Sequence, residues 1–411
     1  MERAELARLL GMPVAGAVAE PRAAATVVAA ERPEEFMEMF SRAVAGGGAV
    51  FVADPAWGER QRAGLNELVD MAGVEKERVR RSGWLMIPSG GTSGGLKFAR
   101  HDEETIAAAV RGFCGHFGLS RVNAVGLLPL HHVSGLMAWM RCALTGGRYL
   151  PWSWTEVKAG RRPEVAAGET WVISLVPTQL QRLLELPEAV AWLRQFKIIF
   201  VGGGPVWPTL AEAAARAELP VSLSYGMTET AAMVTALRPE EFLAGARSSG
   251  GALPHARVTI GEDGAVGVAG EAVFRGYFPE WREAREFWTE DVGAWDAAGQ
   301  LRVLGRRDGV IITGGKKVQP AEVEAALRAS GEFSDVAVIG VPDAEWGQAV
   351  VACYPTGARA PDLARAVSEL AAEMKPKRFV ALADWPRNAQ GKLNRAALAA
   401  AVASAGVNPR G

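Results

Sequence analysis

Residues 171–226 open on the apolar run WVISLVP, pass through KIIFVGG at 197–203 and close on VSLSYG at 221–226. Short runs of β-branched and aromatic residues bounded by Gly and Pro read as buried strands. Similar runs stand upstream: AVFVAD at 49–54, WLMIP at 84–88 and AVGLLP at 124–129. Between several of them apolar residues recur at spacings of three and four, as at Ile106, Val110, Phe113 and Phe117, with a helix start near Asp102. Strand, helix, strand order predicts an α/β fold with layered sheets. After about residue 245 the texture changes to Gly-rich short runs, RVTIG, GAVGVAG, EAVFRGY and QLRVLG. These predict a small antiparallel or barrel-like β subdomain.

From Gly305 a third pattern begins. GVIITGG is followed by a Pro-started helix over PAEVEAALRA, strands in SDVAVIGV and QAVVACYP, a helix over DLARAVSELAAEM and a strand in KRFVAL. That βαββαβ order predicts a smaller α+β unit with its own core. The expected domains are therefore a large unit over 1–304 and a smaller, mobile C-terminal unit over 305–411.

Composition narrows the function classes. The 411 residues carry 45 Lys and Arg against 46 Asp and Glu, and 49% are hydrophobic, so extended disorder is excluded. A net charge of −1 without basic blocks predicts neither a nucleic-acid partner nor an anionic-membrane one. No stretch reaches the ~18 apolar residues that span a bilayer. Three widely spaced cysteines, Cys114, Cys142 and Cys353, form neither a disulfide framework nor a zinc cluster. The expectation is a cytoplasmic protein without membrane insertion, in which oligomers are possible.

Residues 89–97, SGGTSGGLK, follow the run WLMIP. Gly90, Gly91, Gly94 and Gly95 let the backbone turn back and present N–H groups, while Ser89, Thr92 and Ser93 add hydroxyls and Lys97 a cation. Such a loop suits a polyphosphate. It is not a Walker loop, because Leu96 precedes Lys97 and Phe98 follows it. On composition alone a flexible surface loop fits as well.

Further segments follow in order: PLHHVSGL at 129–136, VGGGP at 201–205, SYGMTET at 224–230, TEDVG at 289–293, GRRDGVIITGGKKVQPAEVE at 305–324 and PRNAQGKLNR at 386–395. With the Gly-rich loop, these resemble the signature segments of the acyl-adenylate-forming superfamily of acyl-CoA ligases, luciferases and peptide-synthetase adenylation domains. The resemblance runs from about residue 84 to 398. The strings IPSGGTSGGLKFARH, PLHHVSGLMAWMR, ISLVPTQLQRLL and FLAGARSSGGALPHA are most similar to the branch of CoA ligases that act on 2-succinylbenzoate in menaquinone and phylloquinone synthesis.

That resemblance implies ATP and Mg²⁺, a small organic acid, and coenzyme A as cosubstrate. It places ATP against Ser89, Gly90, Gly91, Thr92, Ser93, Gly94, Lys97, Gly203, Gly204, Tyr225 and Gly226. Thr228 meets the α-phosphate, Glu229 holds Mg²⁺, and Asp291 and Arg306 take the ribose. Lys392 is the catalytic lysine, Asp308 the hinge, and Gly314 and Gly315 face the CoA channel. His132 stands at the wall between carboxylate and ATP; His131 has no assigned role, and Ser174 lines the acid pocket. Arg141, nine positions beyond His132 in the apolar GLMAWMRCAL, is the implied partner of the acid's second carboxylate.

Taken singly, Asp291, Arg306 and Lys392 read equally as solvated surface charges, His132 as a buried core histidine and Arg141 as a snorkelling surface arginine. The sequence departs from the family pattern at Glu290, where Gly is usual, at Gly90 and Leu96, and at Lys316 and Lys317. Residues 1 to about 80 form a shortened or divergent lobe without a readable motif. A ligase for another aryl or fatty acid, an adenylation enzyme feeding a carrier protein, and a non-catalytic nucleotide-binding protein of the same fold stay open.

Overall fold

The computed structural model describes residues 1–11, 24–74, 83–89, 96–166, 168–307, 309–357, 359–387 and 393–404. In the first sheet β1 (Ala25–Val28), β2 (Ala49–Val52) and β3 (Leu85–Ser89) run parallel, and β4 (Lys97–His101) returns antiparallel to β3. The N-terminal lobe, which carries no chemical motif, thus shares a sheet with the strands that flank the Gly-rich loop.

The second sheet holds β5 (Asn123–Gly126), β6 (Tyr149–Pro151), β7 (Trp171–Leu175), β8 (Ile198–Val201) and β9 (Val221–Met227), all parallel, in the order β6-β5-β7-β8-β9. Antiparallel β10 (Ala232–Ala236) and β11 (Gly251–Ala252) extend it beyond β9. Successive residues of a strand face opposite sides. Ile173, Ile199, Val201 and Val221 pack with Leu180, Leu183 and Trp192 on one side. Val172, Ile198 and Phe200 pack with Phe113 and Cys142 on the other. Burial on both faces is why these strands read as continuous apolar runs.

Helix Glu103–Phe117 starts at a capping box: Asp102 Oδ1 accepts from the Thr105 N–H at 3.0 Å, and Thr105 Oγ1 accepts from the Asp102 N–H at 3.1 Å. It buries Ile106, Val110 and Phe113, and Gly118 closes it in the left-handed region.

The third sheet is antiparallel, β12 (Ala256–Ile260), β13 (Ala265–Gly270), β14 (Glu286–Trp295) and β15 (Leu301–Arg306). Two expectations change here. EAVFRGY is not a strand of this sheet, because its backbone bonds elsewhere: the Phe274 N–H to Glu229 O at 2.8 Å and the Arg275 N–H to Arg100 O at 2.8 Å. The ten-residue β14 appeared in the sequence only as the motif TEDVG.

The fourth sheet joins β16 (Ile311–Thr313), β17 (Lys316–Val318), β18 (Ala337–Asp343), β19 (Gly347–Pro355) and β20 (Arg378–Leu382), with helix Pro320–Ala329 as the sequence predicts. The helix expected over 362–374 is only Leu363–Ala366. Beyond it, i to i+3 bonds such as Ser368 N–H to Arg365 O and Leu370 N–H to Val367 O tighten the chain, and the Ser368 hydroxyl also donates to Arg365 O. Leu370 is buried in the core below. Among the described residues no helix is long and apolar enough to cross a membrane.

Arg275 clamps the start of helix Glu103–Phe117, donating to Asp102 at 2.7 Å and Glu104 at 2.7 Å. Burial would raise the Asp102 carboxyl, but the Arg275 and Thr105 donors and the Arg275 charge outweigh it and hold the group below the ordinary carboxylate range. A depressed folded-state pKa adds stability above the unfolded value that is lost as pH falls through the folded one. Arg275→Ala leaves Asp102 buried and unpaired, at a cost of about 3 kcal/mol at neutral pH. Urea unfolding followed by tryptophan fluorescence checks this, and the difference from wild type should shrink below about pH 4.

Candidate functional site

Several of the expected residues lie at or just beyond the carboxyl ends of the parallel strands, the usual ligand position in open α/β sheets. His132 follows β5 and caps helix Val133–Leu144, Ser174 lies near the end of β7, Gly203 and Gly204 follow β8, and Thr228 and Glu229 follow β9. Gly203 has a φ of +74°. Gly226 sits where β9 and β10 approach so closely that a Cβ there would lie 2.0 Å from Ala232 O.

Two sheets converge on Glu229. This carboxylate is 6% exposed, and its Oε1 accepts from Ser89 Oγ at 2.5 Å and from Tyr277 Oη at 2.6 Å. Ser89, 140 residues away in the chain, pairs in register with Lys97 across the β3–β4 hairpin, and Lys97 Nζ lies 5.6 Å from the Tyr277 ring centroid. Burial first, then the Glu229 charge and hydrogen bond, push the Tyr277 hydroxyl well above its ordinary range and keep it a donor. Residues 90–95 of the expected phosphate loop lie outside the described residues. Its two flanks, Ser89 and Lys97, stand at the Glu229 corner.

Below this corner His101 Nε2 bonds Thr228 O at 2.7 Å, and its Nδ1 lies 3.1 Å from Thr105 Oγ1. A carbonyl only accepts, so Nε2 carries the proton. Burial lowers the His101 pKa, and the neutral ring braces the turn that carries Thr228 and Glu229. Neither His101 nor Tyr277 stood out in the sequence, since the Thr228 and Glu229 groups they bond lie far along the chain.

A second corner forms where β9 faces β14. Tyr225 Oη donates to Asp291 Oδ2 at 2.7 Å, and Asp291 pairs in register with Arg306 of β15, whose Nη1 is 3.9 Å from Asp291 Oδ1. The Asp291 N–H donates to Thr289 Oγ1 at 3.0 Å. Burial and then Asp291 raise the Tyr225 hydroxyl's pKa. Glu290, the departure from the family pattern, is accommodated in extended backbone, its carboxylate 3.3 Å from Arg307 Nε. A carboxylate with an adjacent guanidinium can take two vicinal hydroxyls.

Arg141 lies on helix Val133–Leu144, about 13 Å along the axis from His132. It is 4% exposed, and its guanidinium stacks over Phe113 at 4.1 Å. Among the described residues no carboxylate pairs with it, and Nε has no hydrogen-bond partner. Burial lowers its pKa to about 10, with Cys114 and Cys142 nearby. This is not a snorkelling surface side chain.

In the C-terminal part, Gly314 and Gly315 form a two-residue hairpin between β16 and β17 with φ of +55° and +76°, the conformation such turns demand. Lys316 pairs with Glu373 at 3.1 Å. Asp308 and Lys392 lie outside the described residues. The chain on either side of 388–392 is anchored by the Arg387–Leu393 bridge and by Asp335, which accepts from Trp385 Nε1 at 2.7 Å and from Arg387.

With this geometry in place, comparison with known proteins is direct. The chain is 33% identical over 279 residues to a 2-succinylbenzoate–CoA ligase of Listeria monocytogenes, covering 65% of this chain and 59% of that relative. A solved o-succinylbenzoate CoA synthetase from Bacillus subtilis, in complex with its acyl-adenylate intermediate, superposes with a TM-score of 0.76 at 24% identity, covering 96% of this chain and 91% of that one. The same Bacillus subtilis protein in complex with ATP and magnesium ion gives 0.75 at 25% identity, with 96% and 91% covered. The family model of the AMP-binding enzymes matches residues 22–278 and that of their C-terminal domain residues 322–392, so the chain belongs to the AMP-binding enzyme family.

Proposed function

We propose that this chain is an ATP-dependent acid–CoA ligase that adenylates 2-succinylbenzoate and passes the acyl group to coenzyme A. The observation that carries the reading is the pairing of two nucleotide corners with a buried guanidinium that meets no carboxylate among the described residues. Ser89, Lys97 and Thr228 take the phosphates, Glu229 the metal ion that accompanies them, Asp291 and Arg306 the ribose, and Tyr225 the adenine face, with Gly203 and Gly204 beside it. The curated relatives bear the name of this activity.

The donor set at Glu229 fits Mg²⁺, a hard cation that takes oxygen ligands. Ser89 and Tyr277 both donate to Glu229 Oε1, so Glu229 Oε2 is the oxygen that would hold it. The ion there would offset phosphate charge. The remaining work falls to the chain. A carboxylate attacking the α-phosphate brings two anions together, and cationic and N–H groups must answer the developing charge. The acid's carboxylate oxygen bonds to phosphorus as pyrophosphate leaves; the CoA thiolate then bonds to the acyl carbon as AMP leaves. Lys392 supplies the cation for the first step, and rotation of the smaller unit, 305–411, about Asp308 brings Gly314 and Gly315 to the second.

His132 lines the wall between acid and ATP, and Ser174 lies in the acid pocket. The acid has two carboxylates. Activation of the succinyl group leaves the aryl one, and Arg141 is the group that would answer it: an uncompensated buried charge is costly until a partner arrives. The separate, free cysteines fit a reducing, cytoplasmic setting.

Incubation with ATP, Mg²⁺, CoA and 2-succinylbenzoate should give a thioester by mass and one AMP per turnover. A larger yield with another aryl or fatty acid, or none with any acid of a panel, contradicts the assignment. Arg141→Ala should raise KM for 2-succinylbenzoate by a factor worth about 2–4 kcal/mol and leave KM for ATP nearly unchanged; equal effects on both remove Arg141 from the acid pocket. Asp291→Asn, which removes the charge and leaves a single neutral oxygen to accept from the ribose hydroxyls, should raise KM for ATP about tenfold and spare KM for the acid.

A further inference from the structure

We propose that Asp54, His131 and His132 form a binding site for a cation of the zinc class. One ligand atom from each residue lies within 4.8 Å of the other two. Asp54 comes from the lobe that carries no motif, just after β2, and the two histidines precede helix Val133–Leu144, so the cluster joins the first sheet to the second.

His131 is the residue to which the nucleotide and acid corners give no work. It is 7% exposed, and its Nε2 has no hydrogen-bond partner. That atom faces Asp54 Oδ2 at 3.6 Å, beyond the reach of a hydrogen bond. Two ligands each about 2.0–2.1 Å from a tetrahedral zinc ion are themselves about 3.4 Å apart. The gap therefore matches one edge of a cation's tetrahedron and not a bonded pair. Asp54 is already oriented for it: Oδ1 accepts from the Ala56 N–H at 2.9 Å, and Oδ2 faces His131. The rings of His131 and His132 lie 4.4 Å apart at 54°.

Two imidazoles and one carboxylate suit Zn²⁺ or Co²⁺ and not the all-oxygen preference of Mg²⁺. A tetrahedral ion there would take its fourth ligand from water. A cation held there takes the His132 imidazole out of the acid wall, so it inhibits turnover; that consequence rests on the function proposed above, whereas binding does not.

The test titrates the chelator-treated full chain with Co²⁺, followed by visible absorption, and then with Zn²⁺. One equivalent of Co²⁺ should give the intense bands of a four-coordinate ion, bleached by Zn²⁺. His131→Asn and Asp54→Asn should each weaken Co²⁺ binding by at least about tenfold, with the far-ultraviolet circular dichroism and ATP affinity of wild type. No saturable four-coordinate spectrum, or affinity unchanged in both folded variants, overturns the site. Saturable binding lost in both variants, in a protein that makes no thioester from any acid, leaves the site standing and removes the proposed function instead.

Discussion

A carboxylate withdrawn from water must be met by donors or give up its charge, and Glu229 is met by two hydroxyls from distant parts of the chain. Ser89 arrives at the end of a strand in the first sheet. Tyr277 arrives on a segment whose backbone is sewn to β4 and to the turn that bears Glu229. Neither bond forms unless the first sheet, the parallel sheet and the 271–278 segment are all in register. The satisfied carboxylate is thus a product of the whole large unit. It fixes where the flanks of the Gly-rich loop stand relative to β9.

The second corner obeys the same logic with different parts. Asp291 sits midway along β14, beside Arg306 on β15, and Tyr225 reaches it from the end of β9. The β9 turn therefore touches both corners within five residues, Tyr225 to Glu229. A ligand long enough to reach from one to the other, as a nucleoside triphosphate is, meets hydroxyl acceptors at one end and phosphate-compatible groups at the other. Arg141, deep in the helix layer, lies apart from both and is answered by no acid among the described residues.

Much of this was legible in the sequence where local chemistry is dense. The strands over 171–177, 197–203 and 221–226 announced themselves because helices cover both sheet faces, and helix Pro320–Ala329 because proline starts it and its apolar spacing is regular. The motif residues could be named because Gly, Thr and acidic residues cluster along the chain. What was hidden depends on contacts between distant segments. β14 exposes alternate residues without a clean apolar period, EAVFRGY is drawn off its expected sheet by Arg100 and Glu229, and the helix after Asp362 gives way to turns. Tyr277, His101 and Asp54 stand alone in their stretches, and only folding gives them neighbours.

The central claim is that the Glu229 and Asp291 corners belong to one nucleotide site. The most direct measurement is a crystal structure of the protein with a non-hydrolysable ATP analogue. The account predicts density with phosphates beside Ser89 and Glu229 and both ribose hydroxyls on Asp291. A nucleotide bound away from either corner, or ribose hydroxyls turned from Asp291, would contradict it.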